Sequence, residues 1–194
     1  MGIEIEVKFS ATQAQLQKLL DVYPVGQRFL MATTYYDTPS GALSARRYTL
    51  RSRKENDITV CTLKTPAQGG ARNEFELECA DIGQALPEIC RMSGLEDLPK
   101  LLAEGIVPIC GASFVREARI VELENAVVEL ALDQGSLLGG YGKTLPLCEV
   151  EVELKSGDPE AAYGFAQKIA ADYGLLPEKR SKFQRARMLA AGEL

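Results

Sequence analysis

The segment Ile3-Glu4-Ile5-Glu6-Val7-Lys8-Phe9 alternates charged and apolar residues without a break. Successive side chains of a β-strand point to opposite faces, so Glu4, Glu6 and Lys8 would share one side and Ile3, Ile5, Val7 and Phe9 the other. The pattern returns in Cys148-Glu149-Val150-Glu151-Val152-Glu153-Leu154-Lys155, where three glutamates share a face. Arg72-Asn73-Glu74-Phe75-Glu76-Leu77-Glu78 makes a third acidic strand, and Leu50-Arg51-Ser52-Arg53 a basic counterpart. One such strand is ordinarily half-buried with its polar side in water. Several of them, carrying both signs of charge on one side, suggest a closed sheet whose charged interior binds metal ions and a polyanion.

The 194 residues include no histidine. That removes Ser-His-Asp and Cys-His nucleophilic sites, His-ligated zinc and imidazole general bases. Carboxylate chemistry with a hard cation is left, and alternating oxygen ligands suit Mg2+ or Mn2+. The five cysteines, Cys61, Cys79, Cys90, Cys110 and Cys148, are scattered and show no Cys-x-x-Cys spacing. They read as small core residues of a reduced protein, and the expected compartment is the cytoplasm. Net charge is −5, which argues against nucleic-acid binding through bulk charge. No apolar run approaches the roughly 18 residues of a membrane span, so no membrane association is expected. With 46% hydrophobic and 25% charged residues the composition is that of an ordinary globular protein, and residues 1–194 are most simply one domain, or one with a long insertion; a monomer or homodimer is expected.

The elements that would position these residues follow from periodicity and punctuation. Ser10, with Gln13 three residues on, is read as the capping box of a first helix bearing Leu16, Leu19 and Leu20. Strands are expected over residues 28–37, 48–54, 57–65 and 72–79, broken by Thr38-Pro39-Ser40-Gly41, Glu55-Asn56 and Gly69-Gly70. Residues 81–105 lose the period of two, and Leu86, Ile89, Cys90 and Met92 suit a helix stopped at Gly94. Strands resume over 107–122, 126–134 and 145–155. Asp158 and Pro159 start a helix that Gly174 ends, and a terminal helix spans 181–191. About eight antiparallel strands with helices at the ends and edges make an α+β protein, and charge on an enclosed face favours a barrel.

This set of motifs resembles the CYTH family, or triphosphate tunnel metalloenzymes, whose signature is an N-terminal Glu-x-Glu-x-Lys strand. Here it is Glu4, Glu6 and Lys8, followed in family order by Tyr35-Tyr36-Asp37-Thr38-Pro39, Leu50-Arg51-Ser52-Arg53, Leu63-Lys64, Arg72-Asn73-Glu74-Phe75-Glu76, Arg116, Ala131-Leu132-Asp133-Gln134-Gly135, Cys148-Glu149-Val150-Glu151 and Ser181-Lys182-Phe183. The resemblance spans nearly the whole chain and implies an eight-stranded antiparallel tunnel with flanking helices.

It also implies a site. Glu4, Glu6, Asp133, Glu149 and Glu151 would ligate Mg2+ or Mn2+. Glu153, Glu74 and Glu76 would orient basic residues or bound waters, or form a salt-bridged barrel wall. Lys8, Arg51, Arg53, Lys64, Arg72, Arg116 and Lys182 would line the path of a linear polyphosphate, arginine gripping two oxygens at once and lysine acting as a point charge. Lys64 is the candidate general base, with Tyr35 or Tyr36 assisting. Arg46, Arg47 and Arg119 are assigned to the surface or rim. The implied activity is hydrolysis of inorganic triphosphate to pyrophosphate and phosphate. Thiamine triphosphate hydrolysis, cyclisation of ATP, and noncatalytic polyphosphate or nucleotide binding are the alternatives.

Overall fold

A computed structural model describes residues 5–23, 26–67 and 72–194. Its strands are β1 (Glu6–Ser10), β2 (Gln27–Asp37), β3 (Thr49–Glu55), β4 (Ile58–Pro66), β5 (Arg72–Glu78), β6 (Val107–Glu122), β7 (Ala126–Gly140), β8 (Lys143–Gly157) and β9 (Leu176–Pro177). Its helices are α1 (Gln13–Val22), α2 (Ala42–Ala45), α3 (Ile82–Ser93), α4 (Leu98–Leu102), α5 (Pro159–Tyr173) and α6 (Lys182–Ala191). All described strands join one antiparallel sheet in the order β5-β4-β3-β2-β6-β7-β8-β1-β9. The eight expected strands are present, and the two-residue β9 is additional. The described ladders leave β5 and β9 as the edges.

Register decides which residues meet. Directly opposed residues of neighbouring strands project to the same face. Lys8 opposes Glu151, Ala131 opposes Glu151, Asp133 opposes Glu149, and Arg116 opposes Asp133. Phe29 opposes Arg116, Thr33 opposes Arg53, Tyr35 opposes Arg51, Thr49 opposes Lys64, and Lys64 opposes Glu74. With the two-residue strand period, these pairings place charged residues of β1, β3, β4, β5, β6, β7 and β8 on one face of one sheet.

The other face is apolar and carries most of the helices. Phe9, Val128, Leu130, Leu132, Val150 and Val152 pack against Leu16 and Leu19 of α1 and Ala162, Ala166 and Ile169 of α5. Leu50, Cys61, Leu63 and Phe75 pack against Ile82, Ala85 and Ile89 of α3 and Leu98 of α4. Each fully buried Leu, Ile or Val contributes about 1.5–3 kcal/mol, which anchors the strands that present the charges. Helix α6 differs, because Ala186 and Leu189 pack on Met31, Tyr35, Phe114, Leu137 and Leu147 of the charged face. Its approach is close at Gly139, where an added Cβ would lie 2.7 Å from Leu189 Cγ.

Local signals were partly displaced. The first helix is capped by Thr12 with Gln15 in a capping box, two residues beyond the expected Ser10 and Gln13. Ser10 is instead the last residue of β1, opposite Glu149 and Leu176, because strand pairing outweighs a local cap. The β7–β8 hairpin continues to Gly140 and Lys143, past the expected strand ends near 134 and 145. Asp158 caps α5, and Gly94 and Gly174 end α3 and α5 in left-handed conformations, as expected. Among the described residues no helix is long and apolar enough to cross a membrane.

Candidate active site

Asp133 on β7 and Glu149 and Glu151 on β8 each place a carboxylate oxygen within 4.8 Å of the others. All three are buried, Asp133 and Glu149 completely. Their sharing of one spot follows from the Asp133–Glu149 register and from the two-residue period that puts Glu151 on the same side. Buried carboxylates without partners would repel one another and lose hydration. Three cations offset this. Arg116 on β6 donates Nε to Asp133 Oδ1 at 2.8 Å and Nη2 to Asp133 Oδ2 at 2.7 Å, and it also bonds Glu151. Lys182 Nζ lies 2.8 Å from Asp133 Oδ2 and 2.8 Å from Glu151 Oε1, and also bonds Glu149. Arg185 bonds the remaining oxygen of Glu149.

Burial pushes the Glu149 carboxyl up, to about 7, with Glu151 adding to the rise and Lys182 and Arg185 opposing it. Burial acts on Glu151 in the same direction, but Lys182 and Arg116 outweigh it and hold that carboxyl well below the usual carboxylate range. Desolvation alone would lower Lys182, yet Glu151, Asp133 and Glu149 raise it above its ordinary value. Phe114 underlies both cations, its ring centroid 5.3 Å from Lys182 Nζ and 5.9 Å from Arg116 Cζ. Gly135 opposes Phe114, and a Cβ there would clash with the carbonyl oxygen of Ser113 and meet Phe114 Cα at 2.5 Å, so β6 and β7 approach here as only glycine permits.

Across the same face lies a basic half. Arg51 is within 3.4 Å of Glu74 and 3.6 Å of Glu76, and Lys64 is 3.0 Å from Glu74. Arg53 pairs with Glu55. Burial lowers Arg53, and the neighbouring Arg51 lowers it further. Among the described residues the buried Nε–H groups of Arg51 and Arg53 have no hydrogen-bond partner, and an anion can use such donors. Arg72 is committed differently, since Nη2 donates at 2.9 Å to the carbonyls of Arg47 and Lys64, bracing β5 against β4.

The structure brings Asp133, Glu149, Glu151, Arg116 and Lys182 into contact, and sets Arg51, Arg53 and Lys64 apart from them on the same face. Glu6 pairs with Lys8 at 2.6 Å, beside the carboxylate cluster through the Lys8–Glu151 register. Glu4 lies outside the described residues. Tyr35 is buried on this face against Phe183 of α6, ring centroids 5.0 Å apart. Arg185 was not among the expected residues. Its signal was present, because Lys182 and Arg185 are three apart on a helix and share a face. Arg119, expected at the surface, is instead buried and donates to the carbonyls of Tyr23 and Glu117. It points away from Arg116's face, opposite Leu130, and ties β6 to the end of α1.

Residues 2–186 match the family model described as the CYTH domain. Over 167 residues, 85% of this chain and 47% of the relative, the sequence is 28% identical to an inorganic triphosphatase of Haemophilus influenzae. The chain thus spans about half the length of that curated relative. A candidate adenylyl cyclase from Hippeastrum, described as revealing a dominant triphosphatase activity, superimposes with a TM-score of 0.68 at 24% identity, covering 98% of this chain and 97% of its own. A candidate adenylate cyclase from Bacillus halodurans gives 0.64 at 21% identity, covering 94% and 96%. At these identities the two structures share the fold.

Proposed function

Because the chain belongs to the CYTH domain family, we propose that it is a divalent-metal-dependent triphosphatase that hydrolyses inorganic triphosphate to pyrophosphate and phosphate. The observation that carries this reading is the division of one sheet face into a buried acidic half and a basic half. Asp133, Glu149 and Glu151 stand on one side, and Arg51, Arg53 and Lys64 on the other. The relative from Haemophilus influenzae supports the choice of substrate.

Three carboxylates converging within 4.8 Å, without nitrogen or sulfur donors, fit a hard cation such as Mg2+ or Mn2+. Asp133, Glu149 and Glu151 would hold it, with Glu6 on the neighbouring strand as a further ligand; the motif adds Glu4 to the set. When bound, such an ion supplies Lewis-acid polarisation of a phosphoryl oxygen and a more acidic water. The protein's own residues do the positioning. Arg51 and Arg53 offer buried guanidinium donors to phosphate oxygens, and Lys8 and Lys64 add point charge. Arg116 and Lys182 are bonded to the carboxylates in the free protein and would turn to a phosphoryl group held beside them. Water attacks the terminal phosphorus, the bridging anhydride bond breaks, and pyrophosphate leaves with the bonding electrons, so no covalent enzyme intermediate is needed. Lys64 remains the proposed base: it would take the attacking water's proton as the neutral amine, and so must first give up one proton to solvent and its 3.0 Å pairing with Glu74.

We take residues 1–194 as one such domain in the cytoplasm, consistent with five cysteines that form no disulfide. Phosphate release from triphosphate, ATP and thiamine triphosphate, each with Mg2+ and Mn2+, tests the assignment. Failure to release phosphate from triphosphate with either metal overturns it.

A further inference from the structure

Lys182 and Arg185 leave α6 from one face and end among the carboxylates proposed to hold the metal. A single ammonium contacts all three: Lys182 Nζ is 2.8 Å from Asp133 and 2.8 Å from Glu151, and bonds Glu149 as well. Its three N–H donors are thereby spent. Arg185 takes the other Glu149 oxygen, while its own buried Nε has no partner among the described residues. A divalent ion would need those same oxygens at about 2.0–2.6 Å. Ammonium and metal ion compete for one position.

Charge reaches the same result. Ionised, Asp133, Glu149 and Glu151 are matched by Arg116, Lys182 and Arg185, three against three. A metal ion added to these six groups would leave two positive charges uncompensated among them, an unfavourable arrangement in a buried site unless cations withdraw or an anion enters. A polyphosphate is such an anion, and Lys182 and Arg185 can follow it. Their long side chains can swing while the helix stays seated through Phe183 on Tyr35, Ala186 and Leu189 in the core, and the close approach at Gly139.

We infer that Lys182 and Arg185 are built-in counterions of the metal site: they hold the carboxylates in the free protein, are displaced by the divalent ion, and are re-used as phosphate ligands. Arg185 thereby becomes a further substrate-positioning residue. The inference rests on the proposed metal site and adds to it a defined exchange of partners. Its consequence is that metal alone binds weakly, and that removing a positive charge from α6 strengthens metal binding.

The test is Mn2+ binding to the metal-free full chain, followed by electron paramagnetic resonance of free Mn2+, for wild type, Lys182→Gln and Arg185→Gln, with circular dichroism confirming the fold. The Kd for Mn2+ is expected to fall about tenfold in Lys182→Gln and by a smaller factor in Arg185→Gln, tenfold being about 1.4 kcal/mol. Equal affinity in all three proteins overturns the inference and leaves the metal site standing. No Mn2+ binding in any of them overturns the metal site and the inference together. A wild-type measurement covers variants that fail to fold. The Lys182 ammonium resonance, assigned through its contact with the Phe114 ring, should lose its protection from exchange when Mg2+ is added, and its survival at saturating Mg2+ overturns the inference.

Discussion

The ammonium of Lys182 lies 2.8 Å from the carboxylate of Asp133, whose side chain has no exposed surface. A helix near the end of the chain thus supplies the counter-charge for strands near its middle. The same contact makes the acidic cluster tolerable in the free protein and sets what a metal must displace.

Replacing Asp133 with Asn or Glu151 with Gln should cost about two orders of magnitude or more in kcat while leaving the circular dichroism spectrum unchanged. Each substitution removes a charged oxygen ligand at nearly constant volume. Steady-state phosphate release with Mn2+ is the measurement, and near wild-type turnover in both variants would sink the ligand assignment.

Arg116 and Arg53 should separate stability from binding. Arg116→Ala leaves Asp133 and Glu151 short of a buried partner, and the loss is expected at or below about 3 kcal/mol because Lys182 still reaches both. Arg53→Ala removes no partner from a fully buried carboxylate. It should weaken triphosphate binding by about 1.5–3 kcal/mol while changing stability little. Urea melts and calorimetric titration read the two quantities, and a larger stability loss in Arg53→Ala than in Arg116→Ala would contradict the placement.

Cys110 supplies a pH test. Burial pushes its thiol up to about 12, from an ordinary value of 9.0. The folded protein therefore holds that proton more tightly than the unfolded chain, so stability from this group is complete below pH 9 and is lost as pH rises towards 12. Urea melts between pH 8 and pH 10 should show a steeper loss in wild type than in Cys110→Ala. At pH 8 the native thiol should resist iodoacetamide, because the thiolate is the reactive form. Alkylation of native Cys110 as fast as in urea would refute this.

Substrate choice follows from the two-sided face. Triphosphate should show a much higher kcat/KM than ATP with Mg2+ or Mn2+, and pyrophosphate should be poor because it is one phosphoryl group short of spanning both halves. Positioning is a large part of catalysis in phosphoryl transfer. Cyclic AMP as the main product from ATP would favour the cyclase alternative.

The alternation of Glu149 and Glu151 with Val150 and Val152 was legible in the sequence because strand geometry has a period of two, and side choice follows from it without knowledge of neighbours. Gly94, Asp158 and Gly174 were legible for a similar reason, since a cap acts within a few residues. The family motif in chain order, from Lys8 to Lys182, carried the fold. Which carboxylates would touch was another matter. The contact of Asp133 with Glu149 depends on interstrand register, and that of Arg185 with Glu149 on a helix seated against Gly139. Arg119 and Arg116 are three residues apart on one strand, yet pairing turns one into a structural strut and the other into a site residue. Local periodicity assigns a side chain to a face, whereas burial and charge partners come from segments distant in the chain, so only the tertiary structure could decide them.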